Sequence, residues 1–331
     1  MPRSLHVEPT QPMIEVEAVS KAFAGRPAVL DLSLTVRRGE VYGLLGHNGA
    51  GKSTTLGMML GQVFPDAGKV VLNGADVLRR RRAALSRVGA IFESPCFYDY
   101  LTGRRNLRIF GHYSQRVAES RLDEIVDQVG LVGRIDDPVG TYSHGMRQRL
   151  ALGQALLHRP EMLILDEPTD GLDPQGIAEF RGTIRRLNEE QGMTILFSSH
   201  LLSEVEQVCD RVAVLHQGRR VFEGKWDAAN TGTAELDLEV DRRDEALVRL
   251  REAGLIQDTD DPSRPNRVLL AKESDPAAVN RCLVEAGFAV HRLDPVRPTL
   301  EAFYLRAVGV SSEGVTPMRD DSVAQEGEFP C

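Results

Sequence analysis

The chain has 331 residues, 42% of them hydrophobic, and its 40 basic and 48 acidic side chains give a formal net charge of −8 at pH 7. This length predicts a large core domain and a smaller second one, because single domains usually span about 100 to 200 residues. The acidic balance argues against a general binder of nucleic acid or of anionic membranes. The sequence has neither a run of about 18 apolar residues nor an apolar signal region, and we therefore expect a protein that stays in the cytosol.

The first part of the chain predicts strands around a phosphate-binding loop. Residues 1–12 contain three prolines and predict a flexible leader, and strands are predicted at 13–19, 29–36 and 41–45. The third strand leads into Gly46-His47-Asn48-Gly49-Ala50-Gly51-Lys52-Ser53, which fits the P-loop pattern G-x-x-x-x-G-K-[ST], and a helix is predicted from Lys52 to about residue 61. Glycines let backbone N–H groups surround a phosphate, while Lys52 would reach the β- and γ-phosphates and Ser53 would ligate Mg²⁺. We predict that residues 46–53 and Thr54 bind a nucleoside triphosphate.

The following elements predict an α/β core with a mostly helical insertion. Strands are predicted at 69–72 and 88–92, and helices occupy 101–157, notably at 117–129 and 145–157. Short apolar strands return at 162–165, 194–198 and 212–215, with a helix starting near Pro174.

Two acids follow the strand at 162–165. Asp166 and Glu167 would lie outside its carboxyl end, where open parallel sheets bind ligands. Asp166 could hold Mg²⁺ and Glu167 could orient or deprotonate the water that attacks the γ-phosphate. Alone, the pair could equally cap a helix, but the P-loop makes the catalytic interpretation the better one.

The segment Tyr142-Ser143-His144-Gly145-Met146-Arg147-Gln148 begins a predicted helix. Here the chain resembles the ATP-binding cassette (ABC) ATPases, the nucleotide-hydrolysing subunits of ABC transporters, over about residues 13–225. In that family this segment is the signature motif. The resemblance implies that Ser143, His144, Gly145 and Met146 contact the γ-phosphate bound by a second subunit, in a head-to-tail dimer that sandwiches two ATP molecules. Ser143 could also be an ordinary helix N-cap.

Other family motifs follow in the expected order. The resemblance implies that Phe23 stacks on adenine, although a core residue beside the first strand is the alternative. The segment Thr169-Asp170-Gly171-Leu172-Asp173 matches the D-loop, and Asp173 could also cap the helix at Pro174. His200, after the strand at 194–198, matches the switch histidine that contacts the γ-phosphate, and so completes the predicted catalytic set of Glu167, His200 and Lys52.

Glu93 stands where the family usually has glutamine, and we expect it to contribute to the Mg²⁺ site; a solvated loop acid is the alternative. The segment 97–102 and the Tyr-Ser-x-Gly-Met signature resemble the branch that exports antibiotics, lantibiotics and other hydrophobic compounds. His144 replaces a usual glycine and Met146 a usual glutamine, which changes the geometry of the signature contact.

A second domain is predicted after a linker at 226–233. Residues 234–307 predict strands at 234–240, 255–259, 267–271 and 288–293 and helices at 243–253 and 275–286, which is the ferredoxin-like order β-α-β-β-α-β, and a last helix at 299–307. Residues 308–331 predict a disordered tail. The ATPase domain would span 13–225, with the helical insertion at about 94–160.

The motifs predict an ATP- and Mg²⁺-dependent ATPase, and the resemblance implies that it powers export through a separate integral-membrane permease. Its partners would be a second copy of the subunit and that permease, with no nucleic acid, and it would lie peripherally on the inner face of the cell membrane. The alternatives are a soluble ABC ATPase that remodels a ribosome or DNA, and a nucleotide-dependent regulatory module without turnover. The presence of both Glu167 and His200 argues against a regulatory module without turnover.

Overall fold

We describe a computed structural model of the chain over residues 12–92, 95–113, 116–225, 235–257, 266–271, 274–296 and 304. The elements up to the helical insertion are β1 (Pro12–Phe23), β2 (Arg26–Arg37), β3 (Val41–Leu45), α1 (Lys52–Met59), β4 (Ala67–Leu72), β5 (Ala75–Asp76), α2 (Arg81–Leu85) and β6 (Val88–Ile91). The insertion holds α3 (Gly103–His112), α4 (Glu119–Gln128), a 3-10 turn (Val139–Thr141) and α5 (His144–Leu156). Then follow β7 (Met162–Leu165), α6 (Pro174–Gln191), β8 (Thr194–Ser199), α7 (Leu202–Val208), β9 (Arg211–His216) and β10 (Arg219–Gly224).

The central sheet has the strand order β10-β9-β3-β8-β7-β6, parallel except for the edge strand β10. Every residue of β3, β7 and β8 is buried, as expected for strands covered on both faces. Because these three strands are parallel neighbours, their carboxyl ends meet at one edge, and the residues that follow them form the candidate site.

A second, antiparallel sheet has the order β2-β1-β4-β5. Its buried side chains share one apolar core with one face of the central sheet, including Leu34 of β2 and Leu44 of β3. The other face of the central sheet packs with the helical insertion in a second core, in which Leu107 of α3 and Leu150 of α5 meet Leu163 of β7. The chain therefore forms the predicted α/β core with an inserted helical part.

The observed strands are longer than predicted at several ends, because hairpin pairing continues past the apolar residues that indicated them. β1 runs from Pro12, which the prediction placed in the leader, to Phe23, and β2 runs from Arg26 to Arg37. The predicted strand at 88–92 ends at Ile91. The strand β10 and the short helices α2 and α7 were not predicted. Their exposed polar residues and short lengths leave no clear periodic pattern.

A separate sheet is formed by β11 (Glu235–Val240), β12 (Ile256–Gln257), β13 (Arg267–Leu270) and β14 (Val290–Val296), with α8 (Arg243–Glu252) and α9 (Pro276–Glu285). Its strand order β12-β13-β11-β14 is antiparallel throughout, and its apolar core is its own. The predicted β-α-β-β-α-β order is confirmed. The strand predicted at 288–293 lies instead at Val290–Val296.

Several predictions fall on residues that the structure does not describe. These are the leader up to residue 11, Glu93, the linker at 226–233, the tail at 308–331, and the helix at 299–307 except for Tyr304, which is helical. The domain boundaries stay predictions. Within the described residues, no helix has the length and apolar character needed to cross a membrane.

Candidate functional site

The P-loop joins the carboxyl end of β3 to the amino end of α1. Two of its glycines are required by the backbone: Gly51 has φ +104°, and a Cβ there would lie 2.6 Å from the carbonyl oxygen of Ala28. Gly49 also has a positive φ, of +81°. The loop therefore packs against β2 at Gly51, and Ser53 and Thr54, in the first turn of α1, have accessible side chains.

The ammonium group of Lys52 lies inside this loop. The residue is only 5% exposed, and Nζ donates to the carbonyl oxygens of Gly46 at 2.6 Å and His47 at 3.4 Å. It also pairs with Oε1 of Glu167 at 3.1 Å. A buried cation that faces backbone oxygens and one carboxylate is suited to bind an anion in the same space.

Asp166 and Glu167 follow β7, and a single hydroxyl fixes both of them. Ser198 Oγ, on β8, donates to Oδ1 of Asp166 at 2.6 Å and accepts the backbone N–H of Glu167 at 2.9 Å. Glu167 has φ +43°, a left-handed conformation that is costly for a side chain with a Cβ and that persists where its surroundings enforce it.

Glu167 connects the three predicted catalytic residues. Its Oε1 faces Lys52, and its Oε2 lies 2.8 Å from Nδ1 of His200 and accepts the backbone N–H of His200 at 3.2 Å. Because a carboxylate accepts, the proton of this imidazole lies on Nδ1. The loop after β3, the loop after β7 and the residue after β8 thus bring Lys52, Glu167 and His200 together.

Phe23 ends β1 at the tip of the β1–β2 hairpin, where it pairs with Arg26. It is 50% exposed and belongs to none of the apolar cores, so the alternative of a core residue is wrong. The ammonium of Lys21 lies 5.5 Å from the ring centroid. The exposed ring is available for stacking, and the same hairpin contacts the P-loop at Gly51 through Ala28.

The signature segment packs against the D-loop of its own chain. Ser143 caps α5 by accepting the N–H of Met146 at 3.3 Å, and His144 Nε2 lies 2.9 Å from the carbonyl oxygen of Asp170. The imidazole covers Gly171, since a Cβ on that glycine would lie 3.2 Å from Nε2.

Asp173 caps α6 by accepting the N–H of Gly176 at 2.9 Å. The capping interpretations of Ser143 and Asp173 are therefore both correct, and neither excludes a role in nucleotide contact. Within the described parts of the chain, no hydrogen bond or ion pair joins residues 143–147 to residues 46–53.

Two site residues were missed by sequence reasoning. Ser198 was taken only as part of a strand, although a hydroxyl at the carboxyl end of a buried parallel strand is a usable signal. Tyr304 lies at the P-loop, where its hydroxyl accepts the backbone N–H of His47 at 3.3 Å. Its 257-residue separation from His47 leaves no local signal.

Tyr304 also lines a cavity of about 300 Å³ together with Gly46, His47, Asn48, His200 and Leu202. This cavity lies between the start of the P-loop and His200. A residue from the predicted last helix, at 299–307, therefore reaches the space beside the candidate catalytic residues.

A family model described as "ABC transporter" matches residues 29–170. The chain is 40% identical to an uncharacterised ABC transporter ATP-binding protein of Bacillus subtilis (strain 168), covering 92% of this chain and 98% of that protein. It is 34% identical to the bacitracin transport ATP-binding protein BcrA of Bacillus licheniformis, covering 91% and 99%. It is 36% identical to a daunorubicin resistance ATP-binding protein of Streptomyces coeruleorubidus, covering 89% and 96%.

Solved structures show the same fold. The structure of an ATP-binding subunit of an ABC transporter matches with a TM-score of 0.58 and 31% identity, over 65% of this chain and 91% of the other. The ADP conformation of an ATP-binding cassette matches with a TM-score of 0.60 and 25% identity, over 65% and 92%. Both similarities cover about two thirds of this chain, and they support a nucleotide-binding core.

Proposed function

This chain belongs to the ABC transporter family as an ATP-binding subunit with ATPase activity, and from that premise we propose that it powers the export of a hydrophobic compound or antibiotic. The observation that carries the catalytic part is the convergence of Lys52, Glu167 and His200 at one edge of the central sheet. The export part is supported by the similar proteins named for bacitracin transport and daunorubicin resistance.

ATP would bind with its phosphates in the P-loop and its adenine against Phe23. The γ-phosphate would then compete with Glu167 for the Lys52 ammonium, because both anions need the same buried cation. Once released from Lys52, the Oε1 atom of Glu167 could accept a proton from the attacking water, while His200 holds Oε2 and keeps the carboxylate in place.

Magnesium fits the donors that this site offers, since the hydroxyl of Ser53 and the carboxylate of Asp166 are hard oxygen ligands. No described group of three His, Cys, Asp or Glu side chains is placed to hold a metal, so most remaining ligands would be phosphate oxygens and water. Glu93 is a further proposed ligand. The ion would neutralise charge on the β- and γ-phosphates.

A second copy of the chain would complete the site. The signature residues Ser143 to Met146 lie beside the D-loop and make no described hydrogen bond with the P-loop of their own chain. In a head-to-tail dimer, the amino end of α5 would offer the Ser143 hydroxyl and a favourable helix dipole to the γ-phosphate held by the partner subunit.

The membrane partner would dock on the helical insertion. A groove of about 270 Å³ lies between β6 and the helices α3 and α5, with Val88, Phe110 and His158 among its lining residues. Exposed aromatic rings lie close by: Tyr98 and Tyr100 are in ring contact, and Phe110 contacts Tyr113. A groove lined by both polar and apolar side chains, with aromatic rings at its rim, suits a short helix of an integral-membrane permease. The subunit would then lie on the inner face of the membrane.

A mixed dimer tests the composite site. Ser143→Ala and Lys52→Ala would be combined by co-expression with two affinity tags. If signature and P-loop act within one chain, the dimer carrying both changes in one subunit keeps one intact site, and the dimer with one change in each subunit has two damaged sites.

For the head-to-tail arrangement, placing one change in each subunit puts the altered signature opposite the altered P-loop, and one site stays intact. Placing both changes in one subunit damages both sites. We expect ATPase turnover to remain in the first dimer and to fall to background in the second. The reverse order would show that signature and P-loop act within one chain, and equal rates would contradict the sandwich.

A further inference from the structure

A buried carboxyl group next to the site has no part in the mechanism so far. Glu204 lies on α7, four residues after His200, and is 4% exposed. The Thr169 hydroxyl, in the D-loop, donates to its Oε2, while its Oε1 has no hydrogen-bond partner among the described residues. A buried polar atom without a partner is costly, which marks this position as one that requires explanation.

The surroundings of Glu204 are mostly apolar. It borders a small cavity with Pro168, Phe180, Ile184, Phe197 and Val208. Arg181 on α6 also lines the cavity. An apolar side chain would pack here without an unpaired oxygen, so packing alone does not account for a carboxyl group.

The contact between Thr169 and Glu204 joins the two stretches that carry the proposed water-activating residues. Thr169 follows Glu167 by two residues, and His200 precedes α7. Glu167 and His200 are themselves linked through Oε2 and Nδ1 at 2.8 Å. The segments 167–169 and 200–204 are therefore linked by two side-chain contacts, one between Glu167 and His200 and one between Thr169 and Glu204.

We propose that Glu204 is a positioning residue that holds the D-loop to α7 through Thr169, and thereby fixes Glu167 against His200. The proposal rests on the proposed ATPase mechanism, because it assigns Glu204 a role in placing the two residues that activate water.

The neutral acid is the form that fits this place. Burial raises the pKa of Glu204, and the nearby Glu167 carboxylate raises it further, while the Thr169 hydrogen bond, Arg181 and His200 act in the opposite direction. Raising the pH through this elevated pKa would place a negative charge in an apolar pocket beside Glu167. The Thr169 hydroxyl would still donate to the charged group, but the charge would repel the Glu167 carboxylate, and we expect the resulting displacement of Glu167 to lower kcat.

The test compares the ATPase pH profiles of the full-length wild type, Glu204→Gln and Glu204→Ala. The glutamine keeps the shape and stays neutral, so the ratio of its kcat to that of the wild type should rise as the pH increases through the carboxyl titration. Glu204→Ala leaves Thr169 unpaired and should lower kcat by about 5-fold to 100-fold, with the KM for ATP little changed. Glu206→Gln, on the same helix and away from the cavity lining, is the matched control.

Thr169→Val provides a second route if Glu204→Ala fails to fold. It should lower kcat, and combining it with Glu204→Gln should lower kcat no further, since Thr169→Val already removes the contact that the glutamine keeps. The proposal would be overturned if the ratio of the Glu204→Gln kcat to the wild-type kcat stays constant or falls as the pH rises. It would also be overturned if Glu204→Gln is inactive, or if the effects of Thr169→Val and Glu204→Gln on kcat are additive. Absence of ATP hydrolysis by the wild type would instead contradict the proposed function.

Discussion

Replacing Glu167 by glutamine should separate ATP binding from ATP hydrolysis and should strengthen binding. The change removes the proposed base, so we expect kcat to fall by about 10²- to 10⁴-fold. It also removes the anion that pairs with the Lys52 ammonium at 3.1 Å. Glutamine keeps the size of the side chain, so the loop after β7 should retain its conformation.

The gain in binding follows from that ion pair. Two unit charges 3.1 Å apart attract by about 5 kcal/mol at an effective dielectric constant of 20. Hydrogen bonds from Lys52 to Gly46 and His47, together with desolvation, offset most of this energy, and we expect a net of about 1 to 2 kcal/mol. ATP should therefore bind the variant about 5- to 30-fold more tightly.

Equilibrium binding of a fluorescent ATP analogue and a phosphate-release assay measure the two effects. Glu161→Gln is the control, because Glu161 directly precedes β7 whereas Glu167 follows it, and Glu161 pairs with Arg38 and Arg87 instead. Wild-type phosphate release in Glu167→Gln would refute the assignment of the base. Unchanged or weaker ATP binding would refute the competition for Lys52.

Three further changes test the P-loop support and the fold. Tyr304→Phe removes the hydroxyl that accepts the P-loop N–H and should raise the KM for ATP about 2- to 10-fold. The control Tyr100→Phe, at an exposed ring, should leave the KM unchanged. Equal KM values for the two variants would contradict a role of Tyr304 at the site. Arg211→Ala removes the ion-pair partner of the buried Glu40 and one of the two partners of Glu223, which keeps Arg220, and should lower the free energy of unfolding by about 3 kcal/mol in urea titrations; a loss below about 1 kcal/mol would show that Glu40 is solvated. Gly51→Ala is strained by its positive φ and a 2.6 Å contact and should abolish ATP binding in calorimetry, whereas Gly182→Ala, in open space on a helix, should bind normally.

Local sequence determined the parts of the site that depend on neighbouring residues. A phosphate loop needs glycines, a lysine and a hydroxyl within eight residues, so residues 46–53 were recognisable without a structure. A position for Glu167 and His200 at one edge of the sheet was predictable because each follows a short apolar strand, and parallel strands share one carboxyl edge, whereas the predicted role of His200 came from the resemblance to the ABC ATPases. The ferredoxin-like order of the second domain followed from the alternation of strand and helix patterns in the same way.

Tertiary structure alone decided how distant residues meet. Sequence patterns do not state that β8 lies between β3 and β7, and this order is what lets Ser198 hold Asp166 and Glu167 at once. The contact of Thr169 with Glu204 and that of His47 with Tyr304 likewise join residues 35 and 257 positions apart. Hydrophobic periodicity reports which face of an element is buried, whereas a pairwise side-chain contact depends on strand order and packing, and these exist only in the folded chain.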